Sequence, residues 1–381
     1  MIDPSLVARV RAEVASGLDP SVMLTLYADP ARRLTLRERV RATVVGELSE
    51  DQLEALCAEL FGFGPVQQLL DDDGVTDVLV NGPKQVFVER NGCLERVDVV
   101  FRDAAAVSEL AHRIAAGVGR ELTIERPYVD ARMRDGSRAN AVIAPVGGPT
   151  ISIRKFARVS LALRGPAPSW EASNGLAAEA AALLARVVVA RGNVLVAGST
   201  GTGKSTLLRS LAGEIPKEER LVVIEDTNEL VLPHDHAVHL ECVPGRDGGI
   251  GVADLVVNAL RMRPDRIIVG EVRSPREASA LLEAISTGHD GSLTTLHAGS
   301  AVGALDRLEL LLARSGDVAP DAISRFVSRA FDIVVQVARA KTGVRLVREI
   351  AAVENAGPVV VWRSGEASIR QLPSRLTERL S

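Results

Sequence analysis

The chain has 381 residues, 46% of them hydrophobic and 25% charged, with a formal net charge of -4; this is enough for two domains with their own cores, and the mildly acidic balance argues against a nucleic-acid coat, which is normally basic. Aromatic residues make up only 3%, few for a single-strand binder that stacks bases on aromatic platforms. Cys57, Cys93 and Cys242 lie far apart with no C-x-x-C pair, which argues against a zinc ribbon or a disulfide scaffold and fits a reducing cytoplasm.

The start, Met1-Ile2-Asp3-Pro4, has an early acid and no long apolar stretch behind it, unlike a signal peptide. Nowhere do about 18 apolar residues follow one another, so any membrane role is expected to be peripheral. Residues 1 to about 60 read as helices, with Leu6, Val7, Val10 and Val14, and later Leu53, Leu56 and Leu60, at helical spacing. Between them Arg32, Arg33, Arg37, Arg39 and Arg41 form a basic stretch. It reads either as a solvated helix face or as a docking element for an acidic partner or membrane surface.

Near Gly62-Phe63-Gly64-Pro65 the pattern changes. Asp77 to Val80, Gln85 to Arg90 and Leu94 to Val100 are short β-type runs, separated by the turn signals Asn81-Gly82-Pro83 and Asn91-Gly92. The second of these is a strong hairpin signal. A helix over about 104–116 follows, then strands around Asp130–Gly136 and Ala139–Ala144, and the alternating Ile151-Ser152-Ile153-Arg154. Residues 61–164 are thus expected to form an α+β domain after an N-terminal helical segment, 1–60. Gly165-Pro166-Ala167-Pro168-Ser169 opens an expected linker, 165–175, which its prolines would stiffen into a hinge. From Leu176 on, helices alternate with continuous apolar runs, Val194–Val196, Leu221–Ile224 and Ile267–Val269. Runs of that kind mark strands covered on both faces, so residues 176–381 read as an α/β layered domain with a mostly parallel sheet. Two further β-type runs, Ile333–Val337 and Val359–Trp362, fall in the tail.

The strongest chemical signal is Gly198-Ser199-Thr200-Gly201-Thr202-Gly203-Lys204-Ser205-Thr206, a full G-x-x-x-x-G-K-[ST] match between a β-type run and an apolar helix. Glycines let the backbone wrap phosphates with its N–H groups inward, and the helix N-terminus adds positive potential. Lys204 is expected on the β- and γ-phosphates of ATP and Ser205 on Mg²⁺. Two later strand ends carry acids, Glu225-Asp226 and Glu271. At the carboxyl ends of strands they would face the phosphates, to polarise water or to hold the metal's water shell. Gly270 stands where a common Walker B has its Asp, so the metal would lean on Ser205 and Glu271, with Asp226 farther out. Glu271 leads as the group that activates water and Glu225 is the alternative. His289 and His297 flank a β-type run, Gly291 to Leu296. They are either structural, or sense the γ-phosphate or link the site to a neighbouring subunit.

Taken together, the glycine loop, Ile224-Glu225-Asp226, Leu260 to Asp265 running into Val269-Gly270-Glu271-Val272-Arg273, and Thr287-Gly288-His289 through His297-Ala298 resemble the Walker A, Asp box, atypical Walker B and His box of the type II/IV secretion ATPases. Pro127 to Arg132 and Asp135 to Arg138 extend the resemblance, which covers roughly residues 60 to 350. Within the family the chain looks most like the tight-adherence (Tad/Flp pilus) ATPases, and its lack of a four-cysteine element departs from many type II secretion and type IV pilus extension members. The resemblance implies a RecA-like C-terminal domain and a PAS-like N-terminal one. It implies ATP hydrolysis with Mg²⁺ by a cytoplasmic homohexamer, peripheral at the inner face of the cytoplasmic membrane, that drives pilus assembly or secretion through an inner-membrane platform protein, with no dedicated nucleic-acid partner. It also implies that basic residues of the N-terminal domain reach the nucleotide of the same or a neighbouring chain, with Arg138 and Arg154 as candidates and Arg113 a weaker one. Arg261 and Arg273 are candidates to bridge subunits. The alternative is a DNA-translocating conjugation or helicase-like ATPase.

Overall fold

The computed structural model describes residues 3–15, 20–90, 93–133, 135–155, 161–232, 234–243, 249–340 and 342–381. The chain divides into two compact units, Met1–Ala157 and Arg158–Ser381.

The first unit opens with α1 (Pro4–Val10), which runs on into a π-helical turn (Arg11–Ala15), then α2 (Pro20–Ala28), α3 (Pro30–Thr43) and α4 (Glu50–Phe61). Local sequence sets the starts: Asp3, Asp29 and Ser49 accept first-turn N–H groups, proline follows the two Asp, and Gln52 completes a capping box with Ser49. Val10, Val14, Leu36, Val40, Leu53, Leu56 and Leu60 bury themselves together. The basic stretch lies on α3. Arg33 pairs with Glu54 and Asp71, Arg37 with Glu50 and Glu54, Arg41 with Glu38 and Glu50, and Arg32 with Asp29. Most of its charge is thereby neutralised within the unit, which favours the solvated-face reading over docking.

After α5 (Gln67–Asp71) come β1 (Val75–Asn81), β2 (Val86–Arg90), β3 (Cys93–Val97), α6 (Ala104–Gly117), β4 (Tyr128–Arg132), β5 (Arg138–Val142) and β6 (Thr150–Arg154). The strands form one antiparallel sheet in the order β3-β2-β1-β6-β5-β4. The expected β2–β3 hairpin is present, Arg90 opposite Cys93; its Asn91-Gly92 turn lies outside the described residues. Alternation assigns the faces. Val78, Val80, Val88, Ala139, Ala141, Ile151 and Ile153 pack on Val107, Leu110, Ala111 and Ile114 of α6, with Leu24 of α2 in the same core. The other face carries Asp77, Ser152, Asn140 and three arginines.

In the second unit residues 161–175, which take in the expected linker 165–175 and the end of the expected N-terminal domain, pack into the unit's own core. Leu163 and Trp170 are buried, and the Trp170 indole N–H donates to Ser210 Oγ at 2.9 Å. The elements that follow are α7 (Ala178–Val189), β7 (Val194–Ala197), α8 (Lys204–Ala212), β8 (Leu221–Glu225), β9 (Ala237–Glu241), α9 (Val252–Ala259), β10 (Arg266–Val269), α10 (Pro275–Ser286), β11 (Leu293–Leu296), α11 (Ala301–Ser315), α12 (Ile323–Ala330), β12 (Ile333–Arg339), β13 (Arg345–Glu354), β14 (Gly357–Arg363) and α13 (Ser374–Leu380). The sheet runs β14-β13-β12-β7-β11-β10-β8-β9. From β12 to β9 every pairing is parallel, while β13 and β14 extend one edge antiparallel. Every residue of β7, β8, β10 and β11 is buried. Helices cover both faces: Val194, Val196, Leu221 and Val223 face α7 and α8, while Leu195, Ala197, Val222 and Ile224 face α9 to α12. Two-sided burial is why these strands read as unbroken apolar runs. No helix among the described residues is long and apolar enough to cross a membrane.

Candidate active site

Because β7, β11, β10 and β8 are parallel neighbours, their carboxyl ends share one edge of the sheet. Strand order then sets what lies beside what. The glycine loop leaves β7, His297 leaves β11, Gly270-Glu271 leaves β10, and Glu225 ends β8. His297 therefore falls between the loop and Glu271.

The loop's backbone demands glycine. Gly201 and Gly203 have φ of +74° and +99°, conformations that cost a side-chain-bearing residue steric energy. A Cβ added to Gly198 would come within 2.5 Å of Thr202 Oγ1 and 2.7 Å of the Val337 carbonyl oxygen. Thr202 Oγ1 donates to the Ser199 carbonyl at 2.8 Å, closing the turn, and Ser199 and Thr200 are exposed on its outside. Gly203 caps α8, whose first turn is Lys204-Ser205-Thr206 with Ser205 exposed. That turn presents backbone donors and dipole to an anion.

Lys204 is buried. Its Nζ donates to the Ser199 carbonyl at 3.3 Å and lies 3.4 Å from His297 Nε2 and 3.6 Å from Glu271 Oε1. Glu271 Oε2 accepts from Arg273 Nε at 2.7 Å. Glu271 Oε1 is buried, 2.9 Å from His297 Nε2 without hydrogen-bond alignment, and has no hydrogen-bond partner among the described residues. Burial, then the Lys204 charge, pushes the His297 pKa below its ordinary 6.5. The imidazole is accordingly neutral near neutral pH, and its Nε2 serves as donor or acceptor according to tautomer. Arg273 also donates to Asp226 Oδ2 at 2.9 Å, so it ties together the two acids that follow β10 and β8.

Glu225 is used differently. It is 5% exposed, and its carboxylate accepts the backbone N–H groups of Glu229 and Leu230 at 2.9 to 3.1 Å. Burial raises its pKa from 4.5 to about 7. A Cβ on Gly270 would stand 3.0 Å from Glu225 Cγ and 3.5 Å from its Oε1. The missing Walker B aspartate thus has a steric reason: the Glu225 side chain passes over the place where it would grow.

Of the residues singled out from sequence, the second unit gathers Gly198 to Thr206, Glu225, Asp226, Glu271, Arg273 and His297 at one edge. His289 and Arg261 lie elsewhere. His289 precedes β11, on the opposite edge of the sheet, where Ser292 Oγ donates to its carbonyl at 2.8 Å and its Nδ1 lies 3.0 Å from the Ala284 carbonyl. Arg261 is exposed in the turn that leads into β10, with its Nη1 on the Val257 carbonyl at 3.3 Å. In the first unit Arg138 and Arg154 are direct cross-strand partners on the open face, and Arg132 is the next in that row. Arg113 lies on α6, behind the sheet. Trp170 and Arg345 escaped the sequence reading: a Cβ on Gly203 would meet Arg345 Cδ at 3.1 Å and Trp170 Cη2 at 3.5 Å. They come from far along the chain in either direction, and no local pattern marks them.

The donors fit a magnesium nucleotide. The loop is shaped for phosphate oxygens, Ser205 has an exposed hydroxyl, and Glu271 Oε1 is a buried acceptor without a hydrogen. Among the described residues no cluster of three or more His, Cys, Asp or Glu could hold a metal ion by itself. A cation here would depend on phosphate and water oxygens, which is how Mg²⁺ is commonly held.

Residues 59–352 match the model of the family described as Type II/IV secretion system protein. The chain is 38% identical over 327 residues to a putative conjugal transfer protein of Mycobacterium tuberculosis, covering 82% of this chain and 91% of the relative. It is 33% identical over 306 residues to the type IV secretion system protein VirB11 of Brucella suis, covering 73% and 84%. The X-ray structure of the Yersinia pseudotuberculosis ATPase DotB superposes with a TM-score of 0.56 at 16% identity, over 81% of this chain and 80% of that one, a likeness of fold. The chain belongs to the Type II/IV secretion system protein family, and with its intact glycine loop it is an ATPase.

Proposed function

We propose that this chain is the ATP-driven motor of a pilus-assembly or secretion machine, working as a homohexamer against an inner-membrane platform protein, with Glu271 activating the attacking water. The observation that carries the reading is Glu271 Oε1, 3.6 Å from the Lys204 ammonium and without a hydrogen bond among the described residues. In this reading Lys204 moves from Glu271 to the β- and γ-phosphates, and Glu271 accepts a proton as water attacks the terminal phosphorus and the bond to the ADP oxygen breaks. Neutral His297 keeps the carboxylate between loop and strand. Arg273 restrains Glu271 and Asp226. Ser205, with Glu271 and Asp226 beside it, would hold a magnesium ion, which would supply charge neutralisation at the phosphates.

The second unit's parallel sheet supports a RecA-like assignment, and the antiparallel sheet with α6 behind it a PAS-like one for the first. Arg132, Arg138 and Arg154 stand side by side on three adjacent strands, with Asp77 opposite Arg154 on the next one, so three guanidiniums share one face of the sheet. This supports Arg138 and Arg154 as the groups that contact the nucleotide of the same or a neighbouring chain. Arg261, exposed, suits a contact between subunits better than one within the site. The placing within the tight-adherence branch rests on the sequence resemblance. The test is steady-state turnover and ring mass with ATP and a non-hydrolysable analogue. Glu271→Gln should retain ATP binding and ring formation but lose turnover by about 10²- to 10⁴-fold; full turnover in this variant would remove Glu271 from the chemistry. The relative named for conjugal transfer keeps a second reading in view, a DNA-translocating motor. DNA-stimulated, salt-sensitive turnover would favour it.

A further inference from the structure

Behind α6, in the layer away from the arginine row, the N-terminal helices leave a cavity of about 580 Å³, within the size range of small-molecule sites. Met23, Leu60, Ala116 and Leu122 make its walls apolar. Arg113 projects from α6 into this lining. Its Nη1 donates to the Glu59 carbonyl at 2.8 Å, but its Nε is buried with no acceptor among the described residues. Glu109, one turn earlier on α6, lies 3.7 Å from Arg11, and Arg113 has no ion pair among the described residues. A guanidinium remains charged at any physiological pH, and burying one is costly unless it is closely paired; Glu59 and Glu109 are near enough to favour the charge, but neither forms an ion pair with it. Burial indeed pushes the Arg113 pKa down. Two further guanidiniums line the cavity: Arg11, and Arg120, which donates to the Asp130 carbonyl at 2.8 Å. His112, Glu109 and Glu121 complete its ionisable lining.

The apolar part of the lining favours an occupant with an apolar body over a bare inorganic ion, and the guanidiniums favour one that carries an oxyanion over a plain hydrocarbon. We propose that this cavity binds a small amphipathic oxyanion, its phosphate or carboxylate on Arg113 and its apolar body along Met23, Leu60, Ala116 and Leu122. Such a ligand ties α2 and the turn after α1 to α6, and so fixes the N-terminal helices on the sheet layer. The site is independent of the nucleotide site and does not rest on the motor reading. The competing role for Arg113 is a structural one, holding a last-turn carbonyl of α4.

Calorimetric titration of the full chain with octyl phosphate, octanoate and inorganic phosphate separates the two. Both amphiphiles should bind, and inorganic phosphate at least about tenfold more weakly. Binding should slow hydrogen exchange in α6 and survive in Lys204→Ala, which disables the glycine loop. Arg113→Lys keeps the charge but loses the planar fork, and should weaken binding about tenfold; Arg113→Met should abolish it. If Arg113→Met melts below the wild type, Arg113→Lys carries the test. Vesicles containing phosphatidic acid form the last arm. Arg113-dependent vesicle binding assigns the oxyanion to a lipid headgroup, and binding of the monomeric probes alone assigns it to a soluble metabolite. The proposal fails if neither amphiphile binds, if Arg113→Met binds them as well as the wild type, or if Lys204→Ala abolishes binding.

Discussion

Two glutamates end neighbouring strands of one sheet, yet their surroundings give them different work. Glu271 keeps one oxygen without a hydrogen bond beside a lysine, whereas Glu225 spends its carboxylate on two backbone N–H groups. From the sequence both were acids at strand tips, with Glu271 leading and Glu225 open as the alternative. What separates them is the direction of a side chain, which no spacing encodes. The folded pKa of Glu225, about 7, lies above its ordinary 4.5, so the folded chain holds a proton that the unfolded chain releases between those values. The stability this contributes is complete below about pH 4.5 and is lost as pH rises through 7. Glu225→Gln carries no such proton. From pH 4.5 to 8 the wild type should therefore lose about 3 kcal/mol relative to this variant, measured by urea unfolding at several pH values. The fluorescence of Trp170 and Trp362, both buried in the second unit, reports that transition; parallel pH profiles for the two proteins would refute the assignment. Gly270→Asp asks the reverse question. It would press on Glu225 and add a second carboxylate beside it, so turnover should fall rather than rise towards that of a common Walker B enzyme, as a steady-state assay would show.

The order of strands, more than any single motif, builds the site. The apolar runs disclosed buried parallel strands, because two-sided burial leaves its own pattern. The order β7-β11-β10-β8, which places His297 next to Lys204, is not local information. Nor is the clamp at the other edge of the same strands. There Asn193 Oδ1 accepts the N–H groups of Gly291 and Ser292 at 2.8 and 2.9 Å, and its backbone N–H donates to buried Asp332 at 2.8 Å. Beside it Arg266, fully buried, binds Glu219 through two bonds of 2.6 and 2.9 Å and donates to the Val188 carbonyl. Sequence reading passed over both, since a lone Asn and a lone Arg before apolar runs carry no signature. Arg266→Ala leaves Glu219, in a largely buried place, with only the longer 3.9 Å ion pair to Arg191. It should destabilise the second unit by about 3–5 kcal/mol, and Asn193→Ala, which orphans two buried N–H groups, by about 2–4 kcal/mol. Chemical denaturation measures both; losses below 1 kcal/mol would show that this edge relaxes freely. Glu219→Gln should reproduce part of the Arg266 effect, and the wild-type advantage over it should shrink in acid, because the Arg266 bonds hold the Glu219 pKa below its ordinary value.

The chain carries its chemistry in one unit and an arginine row in the other, and each unit buries a core of its own. Where the two units melt as separate transitions, a nucleotide bound by the second alone stabilises only that unit. The gain is RT ln(1 + [L]/Kd), about 2.7 kcal/mol at a hundredfold excess over Kd. Calorimetric melting of the full chain with a non-hydrolysable ATP analogue then has two distinguishable results. If Arg138 and Arg154 contact the phosphates, of the same chain or of a neighbour in a ring, melting of the first unit must also shift upward. That shift must vanish in Arg138→Ala and Arg154→Ala while the second unit's shift persists. Lys204→Ala must lose both. A rise confined to the second unit in the wild type would mean that the arginine row serves some other anion, and the motor reading would lose its means of passing the state of the phosphates from one unit to the other.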